Sequence, residues 1–249
     1  MLGVGRVAIV TGGTRGIGRA ISESLASEGM RVVALYKRNH DAARDLAQEA
    51  KRRGWTITTI GGDLTREASR NNVVAAVHEA ADEVHVVVHA AASGVHRPVA
   101  ELTARHLGFT FETNVVSIQS LLAELVPKMA AGGRIVGLTS AGSTHTIHHY
   151  GAVGASKGAL DALLRHWAWE LAPRGIAVNL VCPGMVETGA LDAFPDRDTR
   201  VAGAASRTPT GRLTTSEEVA ALVRFLCTPE AAQIIGQTLT IDGGKTLPS

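Results

Sequence analysis

Residues 11–18 read Thr-Gly-Gly-Thr-Arg-Gly-Ile-Gly, and these eight residues identify the class of fold. They follow the apolar run Arg6–Thr11 and lead directly into a helical pattern over Ile17–Glu28. Glycine lets the backbone turn sharply and approach an anion closely, and the unpaired N–H groups at the start of a helix attract a phosphate. A strand before the glycines and a helix after them are the context that a dinucleotide-binding loop requires. The stretch therefore predicts a pyrophosphate site at the first turn of an α/β unit.

Runs of apolar, often β-branched residues alternate with helical patterns along nearly the whole chain. Strands that are buried on both faces of a parallel sheet have this composition, and right-handed crossovers connect them. We therefore predict an α/β fold, a Rossmann-like, doubly wound parallel sheet of about seven strands with helices on both faces, in one domain over residues 1–249. The predicted strands are Arg6–Thr11, Arg31–Tyr36, Trp55–Ile60, Val84–His89, Arg134–Thr139, Ile176–Val181 and Thr238–Ile241. The predicted helices are Ile17–Glu28, Asp41–Arg53, Arg66–Ala80, Ala104–Ala131, Tyr150–Leu171 and Thr215–Cys227, with Pro127 kinking or ending the fourth.

One segment, residues 184–214, interrupts the alternation with prolines, charges and small residues where a short crossover is expected. Long loops inside compact α/β domains are usually functional lids or disordered segments. Because this one follows the carboxyl end of a strand, where such folds bind ligands, we expect a substrate lid around residues 185–213. A tolerated surface insertion is the alternative.

The composition excludes several other classes of protein. The chain has 25 basic and 23 acidic residues, so its formal charge of +2 creates no strong field toward nucleic acid or lipid. Aromatic residues make up 4% of the chain, too few for a base-stacking platform. Cys182 and Cys227 suffice for neither a metal site nor a disulfide framework. No apolar run approaches the roughly 20 residues of a membrane span. We therefore expect a cytoplasmic protein without nucleic acid, membrane or metal partners.

The spacing T-G-x-x-x-G-x-G over residues 11–18 resembles that of the short-chain dehydrogenase/reductase family. Further motifs match, in chain order, the family's adenine-capping aspartate, its helix asparagine, its nicotinamide-binding Pro-Gly segment and its last strand; they lie at 61–64, 113–115, 183–188 and 236–244. These matches cover essentially the whole chain. The resemblance implies a nicotinamide cofactor bound by Gly12, Thr14, Arg15, Gly16, Ile17, Gly18, Lys37, Arg38, Asp63, Leu64, His89, Ala90, Ala91, Lys157, Pro183, Gly184, Val186 and Thr188.

The end of the second predicted strand bears on which nicotinamide cofactor binds. An NAD site typically places a carboxylate there to hold the ribose 2′-hydroxyl. Lys37 and Arg38 occupy that place, no carboxylate occurs before Asp41, and Arg15 in the glycine-rich loop could face the same ribose. Cations suit a 2′-phosphate, which predicts NADPH. A solvated Lys-Arg pair in a turn is the alternative.

The spacing of the active-site tyrosine narrows the resemblance. Lys157 matches the family's active-site lysine, but the residue four positions before it, where most members carry tyrosine, is Val153. Tyr150 lies seven positions before Lys157, and residues four and seven apart return to nearly the same face of a helix. This Y-x₆-K arrangement, combined with the glycine-rich loop, resembles the enoyl-acyl-carrier-protein reductases of type III. The segment 91–99 and the lid stretches 194–195 (Phe-Pro) and 208–212 resemble the same subgroup.

The resemblance implies NADPH-dependent reduction of the double bond of a 2-enoyl thioester on an acyl-carrier protein or coenzyme A, as in fatty-acid biosynthesis. Tyr150 would donate a hydrogen bond to the thioester oxygen as an enolate develops. Lys157 would bind the nicotinamide ribose, and its charge would lower the pKa of the phenol. Ser140 is expected as an auxiliary residue, or alternatively as a strand-end serine satisfied by backbone, and Asn114 completes the catalytic set. The resemblance also implies a homotetramer or a homodimer, the oligomeric states that are common in this family.

Two features depart from the family pattern. His89-Ala-Ala-Ala replaces the usual Asn-Asn-Ala-Gly after the fourth strand, so we expect different packing on the adenosine side. His145, His148 and His149 precede Tyr150 without any further cluster of metal ligands. We interpret these histidines as rim residues of the site, or as surface residues with no role, and not as a metal centre.

Two alternative functions stay open. One is reduction of a 3-oxoacyl thioester or another carbonyl, in which Ser140 would be essential and Tyr150 would serve as the acid. The other is a cofactor-binding protein without turnover, because Val153 stands at the usual tyrosine position.

Overall fold

Seven parallel strands form a single sheet with the order β3-β2-β1-β4-β5-β6-β7. The computed structural model describes residues 3, 5–189 and 197–247. The strands are β1 (Val7–Thr11), β2 (Arg31–Tyr36), β3 (Ile57–Gly61), β4 (Val84–His89), β5 (Met129–Leu138), β6 (Ala177–Pro183) and β7 (Thr238–Ile241). The order reverses between β1 and β4, which is where a doubly wound sheet binds its ligand. The predicted fold class is confirmed.

Helices cover both faces of the sheet. They are α1 (Gly16–Ser27), α2 (His40–Arg53), α3 (Glu67–Ala80), α4 (Ala104–Phe111), α5 (Ser117–Leu125), α6 (Gly151–Leu171), α7 (Arg197–Ser206) and α8 (Ser216–Leu226). The apolar sides of α3, α5 and α6 pack on one face of the sheet, and those of α1 and α8 pack on the other. Consecutive strand residues such as Val86 and Val87 point to opposite faces of the sheet, and both are fully buried, one in each core. This explains the continuous apolar runs in the sequence.

The fourth predicted helix ends near Pro127, which is one of the two effects expected of that proline. Its bound at Ala131 was wrong, because α5 ends at Leu125 and Pro127 lies in a 3₁₀ turn over Val126–Lys128. Proline has no N–H to donate into the helix, so the chain turns there. Met129 then pairs with Val84 of β4, and β5 begins five residues before the predicted start at Arg134.

A π-helical stretch, Glu112–Val116, separates α4 from α5 within this long helical segment. Such stretches are rare and frequently mark functional sites. Asn114, one of the predicted catalytic residues, lies in it and is completely buried.

The predicted lid is described only in part. Residues 190–196, which include Phe194 and Pro195, lie outside the described part of the chain. On either side of that gap, Val186 forms an isolated parallel bridge with Thr214, and α7 occupies Arg197–Ser206. Among the described residues, no helix combines the length and the apolar character that a membrane span requires.

Candidate active site

The glycine-rich loop joins β1 to α1 with its backbone packed too closely for side chains. Gly12 and Gly16 have φ angles of 66° and 52°, in the left-handed region that favours glycine. A Cβ atom on Gly18 would lie 2.1 Å from the carbonyl oxygen of Gly12. The N-terminus of α1 is therefore accessible to a ligand that binds above the sheet, and its unpaired backbone N–H groups can bind an anion there. This loop fits the pyrophosphate of a dinucleotide.

The ends of β1 and β4 are joined by the side chain of Thr11. Its hydroxyl lies 2.9 Å from Nδ1 of His89 and accepts a hydrogen bond from the backbone N–H of Ala91 at 3.1 Å, while its carbonyl accepts one from Ala90 at 3.2 Å. His89 is 1% exposed, and burial, together with the charge of Lys157, lowers its pKa to about 3. The imidazole is therefore neutral and serves to connect the strands beneath the cleft.

The end of β2 carries the cations predicted to select the cofactor. Lys37 and Asp63 form an ion pair at 2.8 Å, and Asp63 also accepts hydrogen bonds from Thr65. These partners outweigh the cost of burial and lower the pKa of the Asp63 carboxyl. Arg15 and Arg38 are exposed, and neither forms an ion pair with a described residue. Two guanidinium groups are thus available on this side of the loop.

The Pro-Gly segment after β6 closes the cleft from the other side. Gly184 donates a backbone hydrogen bond to the carbonyl of Ile241 at 2.8 Å, which fixes the turn that follows Pro183. A Cβ atom on Gly16 would lie 3.4 Å from the Thr188 side chain, so this segment reaches the glycine-rich loop. The structure therefore brings two predicted cofactor-binding segments together that are more than 160 residues apart in sequence.

The remaining predicted cofactor residues lie along the same edge of the sheet. Thr14 is buried within the glycine-rich loop, and Ile17 is partly buried at the start of α1. Leu64, which follows Asp63, packs against the core on the α3 side, and Val186 is buried in its bridge with Thr214.

Lys157 lies on the second turn of α6, and its side chain enters the sheet at the end of β5. Its ammonium group donates a hydrogen bond to the carbonyl of Leu138 at 2.7 Å, and the residue is only 4% exposed. Burial lowers its pKa to about 8, against the opposing effect of Asp161 one turn along α6. A buried cation with one protein acceptor has donors to spare for ligand hydroxyls.

Tyr150 caps the N-terminus of α6, so the helix begins one residue later than predicted. Its carbonyl accepts from Gly154 at 2.7 Å, which continues the helical hydrogen-bond pattern back to this residue. The ring lies against Gly142, where a Cβ atom would approach Tyr150 Cδ1 to 2.5 Å. Ser140 lies near enough to the phenol to lower its pKa, so the structure brings these two predicted catalytic groups near each other.

The expected lowering of the phenol pKa was wrong for this structure. Burial raises the pKa of Tyr150 above its usual value, although Ser140 opposes the shift. Lys157 is not among the groups that shift the pKa of this phenol. The phenol therefore stays protonated at neutral pH and is available as a hydrogen-bond donor.

Asn114 holds the site together through its side chain. Its Oδ1 accepts from the backbone of Ser93 at 3.0 Å, and its Nδ2 donates to Ser156 Oγ at 2.9 Å. The amide thus connects the loop after β4 to α6, one residue from Lys157. Asn114 positions the catalytic helix, and both of its side-chain polar atoms are engaged in doing so.

Val153, at the position where most family members carry tyrosine, belongs to the packing between α6 and the loop after β4. It is 5% exposed, and a Cβ atom on Gly94 would lie 2.4 Å from its Cγ2. This position therefore points into a tight contact with neighbouring backbone. The space is filled, and no ionisable group of the described chain replaces the missing phenol there.

A cavity of about 520 Å³ opens beside Tyr150. Its lining combines the apolar side chains of Pro98, Val99 and Ile147 with the histidines of the loop before α6. His96, which no local sequence pattern singles out, has its ring centroid 5.6 Å from that of Tyr150. Only the folded chain brings the loop after β4 to Tyr150, so no local pattern could have identified His96. Asp161 was also missed, although its position four residues after Lys157 is a helical signal.

Among the described residues, no group of three or more histidine, cysteine, aspartate or glutamate side chains is arranged to hold a metal ion.

Two curated relatives are similar to this chain over nearly its full length. A tropinone reductase homologue of Arabidopsis thaliana is 36% identical, with 98% of this chain and 91% of the relative covered. The 1-cyclohexenylcarbonyl-CoA reductase of Streptomyces collinus is 33% identical, with 97% and 87% covered.

Two solved structures are also similar to this chain over nearly its full length. A short-chain dehydrogenase/reductase from Serratia marcescens superimposes with a TM-score of 0.90 at 32% identity and covers 98% of both chains. A variant of the actinorhodin polyketide ketoreductase, solved with NADPH, gives 0.90 at 30% identity over 98% of both chains. The sequence model described as enoyl-(acyl carrier protein) reductase matches residues 12–246. The chain therefore belongs to the short-chain dehydrogenase/reductase family of oxidoreductases.

Proposed function

We propose that this protein reduces the carbon–carbon double bond of a 2-enoyl thioester at the expense of NADPH. The observation that carries the proposal is the position of the phenol. Tyr150 caps α6 seven residues before Lys157 and borders the cavity, whereas Val153 is packed against Gly94. The family description that matches the chain, enoyl-(acyl carrier protein) reductase, supports the same reaction.

The side chains of the site have distinct tasks in this reaction. NADPH, when bound, supplies the hydride that adds to the β-carbon of the substrate. As the electron pair of the double bond moves toward the thioester carbonyl, the Tyr150 hydroxyl donates a hydrogen bond to the oxygen that becomes an enolate. The raised pKa of the phenol suits a donor that keeps its proton until charge develops. A proton then adds to the α-carbon and completes the saturated thioester.

Lys157 would hold the nicotinamide ribose through its spare donors, as the family resemblance implies. Its contact with Leu138 fixes the ammonium group at the end of β5. Asn114 acts indirectly. Its side chain positions Ser156 and therefore the turn of α6 that carries Lys157. The mechanism thus uses two groups that touch ligand and one that positions them.

NADPH is favoured over NADH by the charges around the adenosine ribose. Arg15 and Arg38 are exposed without ion-pair partners among the described residues, and Arg guanidinium groups bind phosphate in a bidentate manner. The carboxylate of Asp63 is engaged by Lys37 and Thr65. The relative solved with NADPH supports this choice.

The thioester carrier is proposed as coenzyme A or an acyl-carrier protein. The names of the Streptomyces collinus reductase and of the matching family support an acyl thioester. We also propose that the chain self-associates, as the family commonly does, because Trp169 on α6 is 82% exposed and Phe109 on α4 is 45% exposed.

Carbonyl reduction is the second candidate, and one contact favours it. Ser140 lies near the phenol of Tyr150 and lowers its pKa, so a ketone oxygen could receive hydrogen bonds from both hydroxyl groups. The similarity to tropinone reductase homologues and to a polyketide ketoreductase supports this reaction.

One assay separates the two reactions. Purified protein is incubated with NADPH labelled with deuterium at the transferred position and with either crotonyl or acetoacetyl thioester. We expect loss of NADPH absorbance with the crotonyl substrate and a butyryl product that carries one deuterium at its β-carbon. Turnover with acetoacetyl thioester alone would replace the proposal with carbonyl reduction. Absence of turnover with both would favour a binding protein.

A further inference from the structure

The loop before α6 forms a rim of histidines at the cavity beside Tyr150. His145, His148 and His149 all line the cavity, together with the hydroxyl-bearing Thr146. No carboxylate is among the described residues that line it, and the lining also includes the apolar side chains of Pro98 and Val99. Every ionisable group on this rim therefore either is neutral or carries positive charge.

The rim is held in a defined arrangement. The rings of His148 and His149 stack with centroids 3.7 Å apart, and the Thr144 hydroxyl lies 2.9 Å from His145 Nδ1. Since Nδ1 of His145 is engaged by its neighbour, Nε2 is the atom that can meet a ligand.

The backbone of this loop is strained at the residue next to the phenol. His149 has φ of 59°, and it is the one non-glycine residue with positive φ in the described part of the chain. Such conformations are unfavourable for residues other than glycine and cluster at ligand sites, where the surrounding structure fixes them. Here a hydrogen bond from Tyr150 N to Ile147 O at 3.1 Å closes the turn. The strain turns the His149 ring onto His148 and leaves Tyr150 against the cavity.

We propose that residues 145–149 form a subsite for an anionic group of the substrate, a carboxylate or a phosphate, beside the acyl carbons that Tyr150 acts on. The proposal rests on the proposed function, since it assumes that this cavity holds the substrate. A volume of about 520 Å³ suits a short acyl group together with one charged group. The apolar side chains of Pro98 and Val99, which also line the cavity, would then contact the hydrocarbon part.

The anion has two possible sources, which one set of substrates distinguishes. A phosphate would come from coenzyme A or a carrier-protein arm, and a carboxylate would come from the acyl group. Three enoyl thioesters cover these cases: crotonyl-pantetheine, which is uncharged; crotonyl-CoA, which adds phosphates; and the pantetheine thioester of glutaconate, which adds a terminal carboxylate.

The measurement is kcat/KM for each thioester with wild-type protein and with His145→Gln/His148→Gln. His149 is kept, because its left-handed backbone would make a substitution alter the loop. His166→Gln is the matched control, an exposed histidine on α6 that does not line the cavity. We expect at least one charged thioester to exceed the uncharged one about tenfold in the wild type. That ratio falls about tenfold in the double variant and is unchanged in the control.

Equal kcat/KM for all three thioesters in the wild type would overturn the subsite. A ratio that survives the double variant would overturn it as well. If no enoyl thioester turns over, the proposed function fails separately, and the same three carriers loaded with 3-oxoacyl groups give the ratio that decides the subsite.

Discussion

The two ends of the binding cleft are built in different ways, although they share one edge of the sheet. At the cofactor end, the site is made by backbone: Gly12, Gly16 and Gly18 allow the loop to turn and α1 to begin where an anion can reach it. At the catalytic end, it is made by side chains that converge from β5, α6 and the loop between them. A backbone site depends on glycine spacing and changes little. In a side-chain site only the location of the functional atom matters, so the residue that carries this atom can occupy different positions in the sequence.

The largest effect is expected from Tyr150→Phe. Loss of a hydrogen-bond donor to a developing oxyanion typically costs about 10²–10³ in kcat, and we expect that loss here. NADPH binding, measured by nucleotide fluorescence, is expected to persist. Tyr36→Phe is the control, because it removes the phenol of the chain's other tyrosine, which lies 3.0 Å from His40 at the cofactor end. Full activity in Tyr150→Phe would show that another group stabilises the developing enolate oxygen.

A companion variant tests whether the phenol can be moved back. Tyr150→Phe/Val153→Tyr restores the common family spacing, yet we expect no recovery of kcat above Tyr150→Phe alone. Val153 packs against Gly94, so a tyrosine there would disturb the contact between α6 and the loop after β4. Recovery to near wild-type turnover would mean that position 153 also reaches the reacting atoms.

At the cofactor end, Gly18→Ala is expected to weaken NADPH binding by about a hundredfold, because its Cβ would lie 2.1 Å from the Gly12 carbonyl and must displace the loop. Titration of nucleotide fluorescence measures the dissociation constant. Gly108→Ala is matched to it, since a Cβ atom there meets nothing within 4 Å. An unchanged dissociation constant in Gly18→Ala would contradict the backbone account of this end.

A smaller change is expected in cofactor choice. Arg15→Gln/Arg38→Gln should reduce the preference for NADPH over NADH about tenfold or more, because charge-assisted bonds to the 2′-phosphate are lost. The ratio of kcat/KM for the two nucleotides reports it. Arg44→Gln, on the exposed side of α2 in an ion pair with Asp41, serves as the control. If the ratio of kcat/KM for NADPH to that for NADH is the same in all variants, Arg15 and Arg38 do not select the cofactor.

The mildest effect is a pH dependence. Burial lowers the pKa of Lys157 to about 8, so the charged form in the free enzyme is lost at lower pH than for an exposed lysine. Since kcat/KM for NADPH reports the free enzyme, we expect it to be halved near pH 8 and to fall further above that value. A profile that stays level to pH 9.5 would contradict a buried, titrating lysine.

These contrasts also explain what could be predicted from the sequence. The alternation of strands and helices and the glycine-rich loop can be recognised in patterns of neighbouring residues, and the fold class predicted from them is confirmed. The bound of the fourth helix at Ala131 was wrong, because the apolar residues after Pro127 are compatible with helix or strand and only the pairing of Met129 with Val84 decides. The assignment of the individual site residues stays a prediction.

The catalytic end could be predicted less completely, since its properties come from distant contacts. The spacing of Tyr150 and Lys157 is visible in the sequence, but the contact of His96 with Tyr150 is created by folding. The expected direction of the shift in the phenol pKa was wrong for the same reason. Burial cannot be seen from the sequence, and it raises the pKa that a nearby cation was expected to lower.

The central claim is that the phenol of Tyr150 reaches the reacting carbonyl from seven residues before Lys157. A crystal structure of the complex with NADP⁺ and a 2-enoyl thioester tests it most directly. We predict the Tyr150 hydroxyl within about 2.6–3.2 Å of the thioester oxygen, with the Lys157 ammonium on the nicotinamide ribose. A thioester oxygen bound away from Tyr150, with its hydrogen bonds supplied by other groups, would contradict the account.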